Sequence, residues 1–578
     1  MTVTEALKVI RAAPGSAAEY HVLLACGFTP LHLQTFLTAH LQTKLPARKV
    51  RASAGLFGNL AGTIESAAQS EPQGIAIALE WGDLDPRLGY RSAGAVTPSV
   101  VPDIVEQARE MLERIAAAIE GLPAGIRVAL SLPSLPLPPF FHTAGTQESQ
   151  AELLLERDLM EFASRCAARA AIVNRRRLDE EAPCAARHDL KSELIAGLPY
   201  TTVFADALAN TLARLLTPAA PKKGLITDLD NTLWHGIVGE IGPAEVSWDL
   251  AGHGQIHCLY QKVVASLAEE GVLIGISSKN DPNVVARAFE RRDLLLGADK
   301  VYPIEAHWNA KSGSIKRILA TWNIGADSVV FVDDSPMELA EAVEANPGLE
   351  CVLFPTDDYG AGLRMLRRLR DLFGKERVSK DDAIRLESIR RASVVRENIE
   401  GGELSEAFLA NADAVITANF ADAENPRALE LVNKTNQFNL NGRRFEEADW
   451  RRRVARPDSI LVTVAYADKF GPLGTIAVIE GARGEDALHV SAWVMSCRAF
   501  SRRIEHQCLR LLFDAFSAGA IWFDFVPTHR NGPTRNFLTS LMGTAPEGPF
   551  TLERARFDEA CPPLHHKVEI LKESEVYG

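Results

Sequence analysis

The feature that most constrains this chain is an apolar run that stops on two acids, Lys222-Lys223-Gly224-Leu225-Ile226-Thr227-Asp228-Leu229-Asp230-Asn231-Thr232-Leu233-Trp234. A short apolar run closed by turn residues fits a buried strand. Side chains two apart at a strand end point the same way, so Asp228 and Asp230 can face one reacting group. In such a pair one acid serves as nucleophile and the other as general acid and base. Thr232 adds a hydroxyl able to fix the turn. Taken alone, the segment equally fits an Asx-rich turn capping a strand, and the rest of the chain has to separate the two readings.

Three further strand ends do so. Val272-Leu273-Ile274-Gly275-Ile276-Ser277-Ser278-Lys279-Asn280 closes an apolar run with Ser278, whose hydroxyl can bond a phosphoryl oxygen. In His307-Trp308-Asn309-Ala310-Lys311-Ser312 the ammonium of Lys311 can neutralise an aspartyl-phosphate and its transition state. In Val329-Val330-Phe331-Val332-Asp333-Asp334-Ser335-Pro336-Met337-Glu338 an acidic pair meets a helix start. There Ser335, Pro336 and Glu338 take the cap, first and third positions of a capping box. Asp333 and Asp334, with Asp228 and the carbonyl of Asp230, give an oxygen-rich cluster suited to Mg2+. This ordered quartet on successive strand ends resembles the site of haloacid-dehalogenase-type phosphohydrolases. Only 49 residues lie between Asp228 and Ser278, and 32 between Ser278 and Lys311. Parallel strands need about a dozen residues per crossover, so each gap holds its helix, including one capped by Asp281-Pro282 over 283–292, with no room for a lid domain. An uncovered pocket suits a phosphate carried on something large, or a site completed by a neighbouring domain.

At 578 residues the chain exceeds one core, and about three to four domains are expected. A charge of -13 argues against general nucleic-acid binding; the runs Arg175–Arg177 and Arg451–Arg453 read as solvated helix faces. Eight cysteines without paired short spacings imply neither a zinc site nor a disulfide framework. No apolar stretch is long enough to span a membrane, and no secretory signal is evident, so a cytoplasmic, reduced setting is expected. Residues 1–218 alternate strand-like runs (21–25, 74–80, 127–132) with helical ones (102–119, 152–171), an α/β layer domain. A Pro-rich linker leads into an α/β core over 222–374, and the charged stretch 375–400 reads as an exposed helical connector. Within 401–578, antiparallel strands are expected at 414–420, 459–466, 474–480 and 487–495, with helices at 425–435 and 503–518.

The motifs Asp228 to Gly236, Ser278-Lys279-Asn280-Asp281, Asp333-Asp334-Ser335-Pro336 and Asn433-Lys434-Thr435-Asn436-Gln437-Phe438-Asn439-Leu440 resemble the FkbH-like proteins, over about residues 222–540. The resemblance implies three domains: an SGNH-like front domain, a capless haloacid-dehalogenase domain with a Rossmann-like parallel sheet, and an α+β domain similar to the GNAT acetyltransferases. It implies removal of phosphate from a phosphorylated three-carbon acyl donor such as 1,3-bisphosphoglycerate, and loading of glyceryl onto the phosphopantetheine thiol of an acyl carrier protein for polyketide-type extender units.

Within that reading Asp228, Asp230, Ser278, Lys311 and Cys497 are catalytic, and Asp228, Asp230, Asp333 and Asp334 hold Mg2+. Thr232, Asn280, Asn433, Lys434, Asn436, Gln437, Arg498 and His506 bind substrate. Cys497, at a strand end opening a helix and near three arginines, would be favoured as thiolate, with His506 or His529 as base; packing alone also accounts for it. Ser501 stands where relatives show glycine, and an acetyltransferase's phosphate-cradling loop is not evident, which argues against acetyl-CoA. In the front domain Ala25-Cys26-Gly27-Phe28-Thr29 stands where an SGNH hydrolase carries its nucleophile segment and no Asp-x-x-His closes the domain; Cys26 or Thr29 could substitute, but a non-catalytic docking role is expected. Glu80-Trp81-Gly82-Asp83 fits a binding loop or a capped turn. The alternatives are a phosphatase fused to a CoA-dependent N- or O-acyltransferase acting in sugar or polysaccharide modification, and a non-catalytic protein that recruits carriers.

Overall fold

The computed structural model describes residues 1–571 apart from 15–16, 93–95, 142–145, 357, 376–384, 388, 391–405, 421–424, 436, 470, 485–486, 497–498, 500–501 and 529–530. The chain divides into two compact units, Met1–Ala219 and Ala220–Gly578. The first is built on β1 (Glu19–Ala25), β2 (Lys49–Ala54), β3 (Gly74–Ala78), β4 (Arg127–Ser131) and β5 (Ala171–Ile172), all parallel in the order β2-β1-β3-β4-β5. Side chains alternate across a strand, and β1 shows the result. Leu23 and Ala25 pack against helices Val101–Glu120 and Gln150–Cys166 on one face, while Tyr20, Val22 and Leu24 pack against Leu31–Lys44 and Thr202–Leu216 on the other.

The second unit holds two sheets. One comprises β6 (Gly224–Thr227), β7 (Leu273–Ser278), β8 (Val301–Ala306), β9 (Val329–Asp333) and β10 (Glu350–Leu353), parallel in the order β10-β9-β6-β7-β8. It too is buried on both faces, with Leu225, Ile274, Ile276 and Val330 in one core and Ile226, Leu273, Val329 and Phe331 in the other. The second core admits Trp322 only because β6 and β7 carry glycines beneath it. A Cβ on Gly224 or Gly275 would lie 2.5 or 2.8 Å from that ring. The other sheet runs β17-β16-β15-β14-β13-β11-β18, with β11 (Val415–Asn419), β13 (Ser459–Asp468), β14 (Gly471–Arg483), β15 (Leu488–Met495), β16 (Ala520–Phe523), β17 (Phe550–Glu553) and β18 (Lys567–Leu571). The short β12 (Phe438–Asn439) pairs with β15 off that path.

This last sheet is mixed, where antiparallel strands were expected. β15 and β16 are parallel, joined by the crossover helix Ile504–Ala515, and β18 lies parallel to β11. The edge or short strands β2, β5, β16, β17 and β18 lack a long apolar run, which is why the residue pattern did not reveal them. In the connector, Ile389 is buried and Leu386 half-buried against the β6–β9 core, and Arg385 and Arg390 donate to Gly271 O and Val301 O, so this part is not an exposed face; most of 375–400 lies outside the described residues. The arginine runs are helical and ion-paired: Arg175 with Glu156 (2.9 Å), Arg451 with Glu447 (2.7 Å) and Arg453 with Glu480 (3.0 Å). The seven cysteines among the described residues are free. No helix there is long and apolar enough to cross a membrane.

Candidate active site

The order of the five-stranded sheet reverses between β6 and β9, and open α/β sheets hold ligands at the carboxyl ends of such strands. Asp228 leaves β6 there and Asp333 closes β9. Ligand oxygens of Asp228, Asp333 and Asp334 lie within 4.8 Å of one another. Lys311, at the first turn of helix Lys311–Trp322, donates to Asp333 Oδ2 at 2.6 Å and sits 3.1 Å from Asp228 Oδ2. Burial disfavours its ammonium, but the charges of Asp228 and Asp333 outweigh that and raise its pKa. Burial pushes the Asp228 carboxyl up to about 6, against the opposing charge of Lys311, and raises Asp333 and Asp334 as well. Lys311 alone therefore does not neutralise the three acids. Oδ1 of Asp228 is buried without a hydrogen-bond partner. An orphaned carboxylate oxygen beside two further acids fits a hard divalent cation held by oxygen ligands.

Asp230 is held apart from this cluster. Its Oδ1 accepts from Trp234 Nε1 (2.8 Å) and Val238 N (3.0 Å), and its Oδ2 accepts from Asn280 Nδ2 (3.0 Å). Its carboxylate is therefore not one of the clustered side-chain ligands, in keeping with a division in which Asp230 offers its backbone carbonyl to a metal and its carboxylate to proton transfer. Asn280 was expected to bind substrate, yet its amide is spent on Asp230 and on Ser278 Oγ (3.0 Å) and it is buried. Ser278 reaches Asp228 in turn. Thr232 Oγ1 donates to Asp334 Oδ1 at 3.4 Å, tying the β6 turn to the β9 corner. That turn needs Asn231 at φ 53° and Gly236 at φ 99°. His257, kept neutral by burial that pushes it down to about 4, donates through Nδ1 to Thr232 O.

Ser335 caps helix Pro336–Ala345, but the capping box is half made. The Ser335 N–H donates to Asp333 Oδ1 (2.9 Å), while Glu338 accepts from Lys279 Nζ (2.6 Å) across the mouth of the site. Between β6 and β7 lie helices Val238–Ile241 and Gln255–Glu269, and between β7 and β8 the helix Pro282–Phe289 capped by Asp281. No lid domain is inserted, as the spacing implied. Trp234 and Lys279 went unassigned from the sequence, because one resembles a core residue and the other a surface lysine.

The third-sheet residues are dispersed. Cys497, Arg498, Asn436 and His529 lie outside the described residues. Asn433 exchanges hydrogen bonds with the Phe445 backbone (2.8 and 2.9 Å), a structural staple in place of a substrate contact. Lys434 and Gln437 line a cavity of about 660 Å³ at the amino ends of β6, β7 and β9, opposite Asp228. His506 is not among that lining; it packs edge-on to Phe537 and burial pushes it down to about 4. The helix after β15 begins at Ile504, seven residues beyond Cys497 in the chain, where the sequence led one to expect its start at 503. Arg502 faces Asp468 (3.7 Å) and Arg503 pairs with Glu406 (2.6 Å), so two of the three arginines are committed to carboxylates.

β15 and β16 pair only over 488–490 and 521–523 and then diverge. The gap is filled from within. Phe438 and Asn439 pair with Met495 and Val494, Leu440 N donates to Trp493 O, Val526 N donates to Leu440 O, and Asn441 Nδ2 bridges Ser491 O and Asp524 O. In the first unit Cys26 is buried, its thiol pushed up to about 12 by burial, which removes it as a nucleophile. Glu80 and Asp83 form a capped turn at helix Trp81–Leu84.

No protein-family model matches the chain, and no curated protein matches it. Among solved structures, the chain is similar to the N-terminal part of a Bacteroides fragilis protein containing a phosphatase domain, complexed with Mg. The identity is 22%, the TM-score 0.52, and the match covers 65% of this chain and 99% of that one. An uncharacterised Corynebacterium glutamicum protein (22%, TM-score 0.19, 27% and 98% covered) and a complex of S. aureus MnaA with UDP (12%, 0.16, 67% and 99%) overlay too loosely to bear on the site. The likeness to the Bacteroides fragilis structure is one of fold: the two share an α/β architecture.

Proposed function

We propose that this chain is a Mg2+-dependent phosphohydrolase working through an aspartyl-phosphate at Asp228, and that it serves a glyceryl transfer to an acyl carrier protein. The observation that carries the first part is the buried cluster of Asp228, Asp333 and Asp334 around Lys311, with Asp228 Oδ1 unsatisfied. Asp228, Asp333 and Asp334 would hold Mg2+, which when bound supplies positive charge for the phosphoryl oxygens. Asp228 attacks phosphorus while Asp230, fixed by Trp234, Val238 and Asn280, hands a proton to the departing oxygen and then takes one from water. Ser278 and Lys311 bind the phosphoryl oxygens. That no lid domain is inserted between Asp228 and Lys311 supports a phosphate presented on a large molecule or through a neighbouring domain.

Glyceryl loading rests on the FkbH-like motifs and on a cavity shared by Lys434, Gln437 and Ser496, beside Cys497 in the chain. CoA-dependent acyl transfer is the weaker reading, because Ser501 stands where relatives show glycine and an acetyltransferase's phosphate-cradling loop is not evident in the sequence; Phe438–Asn441 fill the gap between β15 and β16, so a pantetheine arm of either CoA or a carrier protein has to enter elsewhere. The test is phosphate release from acetyl phosphate and from small phosphate esters with and without Mg2+. Asp228→Asn should lose the activity by roughly a thousandfold or more; equal rates in both proteins, or release indifferent to Mg2+, would refute the phosphohydrolase. The transfer half is tested by intact mass of a holo carrier protein incubated with the chain and a three-carbon acyl phosphate, where no glyceryl adduct would refute it.

A further inference from the structure

The mixed sheet of the second unit ends on β18 (Lys567–Leu571), whose residues are all exposed. Among them Val568, Ile570 and Leu571 are 38%, 43% and 42% exposed. Among the described residues no strand pairs with the outer side of β18. A bare apolar edge is a template for a further strand, and proteins blunt such edges with proline, bulges or charge. β18 has no proline, and it pairs with β11 in unbroken register from Val415–Lys567 to Asn419–Leu571. Its one lysine lies two residues from Glu569, so the charges on the edge are of both signs. We propose that this edge pairs with the same edge of a second copy of the chain, antiparallel about a two-fold axis between the two Val568 residues.

Backbone direction and charge together select that register. Lys567 N donates to Ala414 O at 2.8 Å, so the backbone groups of Lys567 face β11. Alternate residues turn their N–H and C=O to the same side of a strand. Glu569 and Leu571 therefore face β11 as well, and Val568 and Ile570 point theirs outward. A closed two-fold contact brings the same patch together from both copies, so the two strands run antiparallel and outward-facing residues meet outward-facing ones. Centred on Lys567 or on Glu569, the contact sets like charges directly opposite at the closer spacing of a pair without hydrogen bonds, which is destabilising. Centred on Ile570, it sets Glu569 against Leu571. Centred on Val568, it sets Lys567 of each copy against Glu569 of the other, and each Val568 exchanges both backbone bonds with its counterpart. The apolar side chains agree with this choice. Val568 and Ile570 stand beside Ile416 and Ala418, which are buried in the core of the sheet, so they carry its core face out to the edge. The second copy covers that exposed strip. One short strand from each copy makes a contact below the standard interface size, so the association is reversible.

The test is sedimentation velocity of the full chain from about 1 to 100 µM, a range that brackets reversible association of a small interface. The expected result is a shift from monomer towards dimer as concentration rises. Val568→Pro removes an outward N–H and spares the bonds that Lys567 and Glu569 make to β11; it should weaken dimerisation by about tenfold or more, because both central bonds are lost. Lys567→Glu and Glu569→Lys each set like charges opposite in two places and should weaken it by about tenfold as well. The double variant Lys567→Glu with Glu569→Lys restores opposite charges and should recover the dimer. A monomer at every concentration would overturn the proposal, and so would a dimer that Val568→Pro leaves unchanged. A double variant no tighter than either single one would overturn the register. Species growing beyond the dimer would show an edge that adds strands without closing, which overturns the two-fold contact.

Discussion

Replacing Trp234 by Phe isolates one hydrogen bond in the proton-transfer machinery. The indole N–H is one of three donors on the Asp230 carboxylate and one of two on Oδ1. The ring is fully buried and edge-on to Phe289 at 6.0 Å, and Phe keeps most of that packing. A hydrogen bond to a charged group contributes about 1.5–3 kcal/mol, so losing it should slow the step that depends on Asp230 by roughly 10- to 100-fold. Oδ1 keeps Val238 as donor, which places the expectation at the lower end. The assay compares kcat/KM, which reports steps up to release of the leaving group, for an alkyl phosphate and for p-nitrophenyl phosphate. An alkoxide leaves only with a proton, whereas a nitrophenolate leaves without one. The variant should therefore lose about tenfold on the alkyl ester and little on the aryl ester. A loss of equal size on both substrates would mean that Trp234 acts through packing alone, and no loss on either would mean that Asp230 keeps its aim without it.

Gly275→Ala forces a Cβ to 2.8 Å from Trp322 and should cost about 1–3 kcal/mol of stability; adding Trp322→Leu should recover part of that, and strictly additive losses in urea unfolding would contradict the contact. In the first unit, burial pushes Asp83 up to about 7, and Glu80 is raised too. The folded-state value lies above the unfolded one, so the native chain keeps a proton that the unfolded chain has lost between about pH 4 and 7. Stability of this unit should then fall as pH rises through that window, by up to roughly 4 kcal/mol for Asp83. Asp83→Asn should flatten the dependence, and a flat wild-type profile from pH 5 to 8 would rule the burial effect out. Coenzyme A titrated into the full chain should give no heat, and tight binding would show that Phe438–Asn441 yield to a ligand.

The acidic corner was legible because its residue types are unusual at strand ends. Asp228, Ser278, Lys311 and Asp333 each close or follow an apolar run, and the 49- and 32-residue gaps already limited what could lie between them. The parts the sequence hid are those made by long-range pairing. Nothing in Asn280 foretells that its two N–H groups are divided between Asp230 and Ser278, and Trp234 looks like any core aromatic until the turn brings its N–H back to Asp230. The Asn433–Leu440 stretch carried the family resemblance as one motif, but its residues serve three different ends. Asn433 staples Phe445, Lys434 and Gln437 face the cavity, and Phe438 to Asn441 satisfy backbone groups freed where β15 and β16 part. Only register decides which residue does which.

The acid cluster and the cavity lie at opposite ends of one sheet, which limits how the two can be coupled. Lys223 and Asp228 stand at opposite ends of β6, and Ser328 and Asp333 at opposite ends of β9, with Ile226, Val329 and Phe331 packed between them. Strands paired on both sides and buried on both faces offer no channel and bend little. A group fixed to a side chain at the cavity therefore cannot reach the acid cluster. Any intermediate shared by the two must leave one end of the sheet and approach the other from outside, either free in solution or on a long arm.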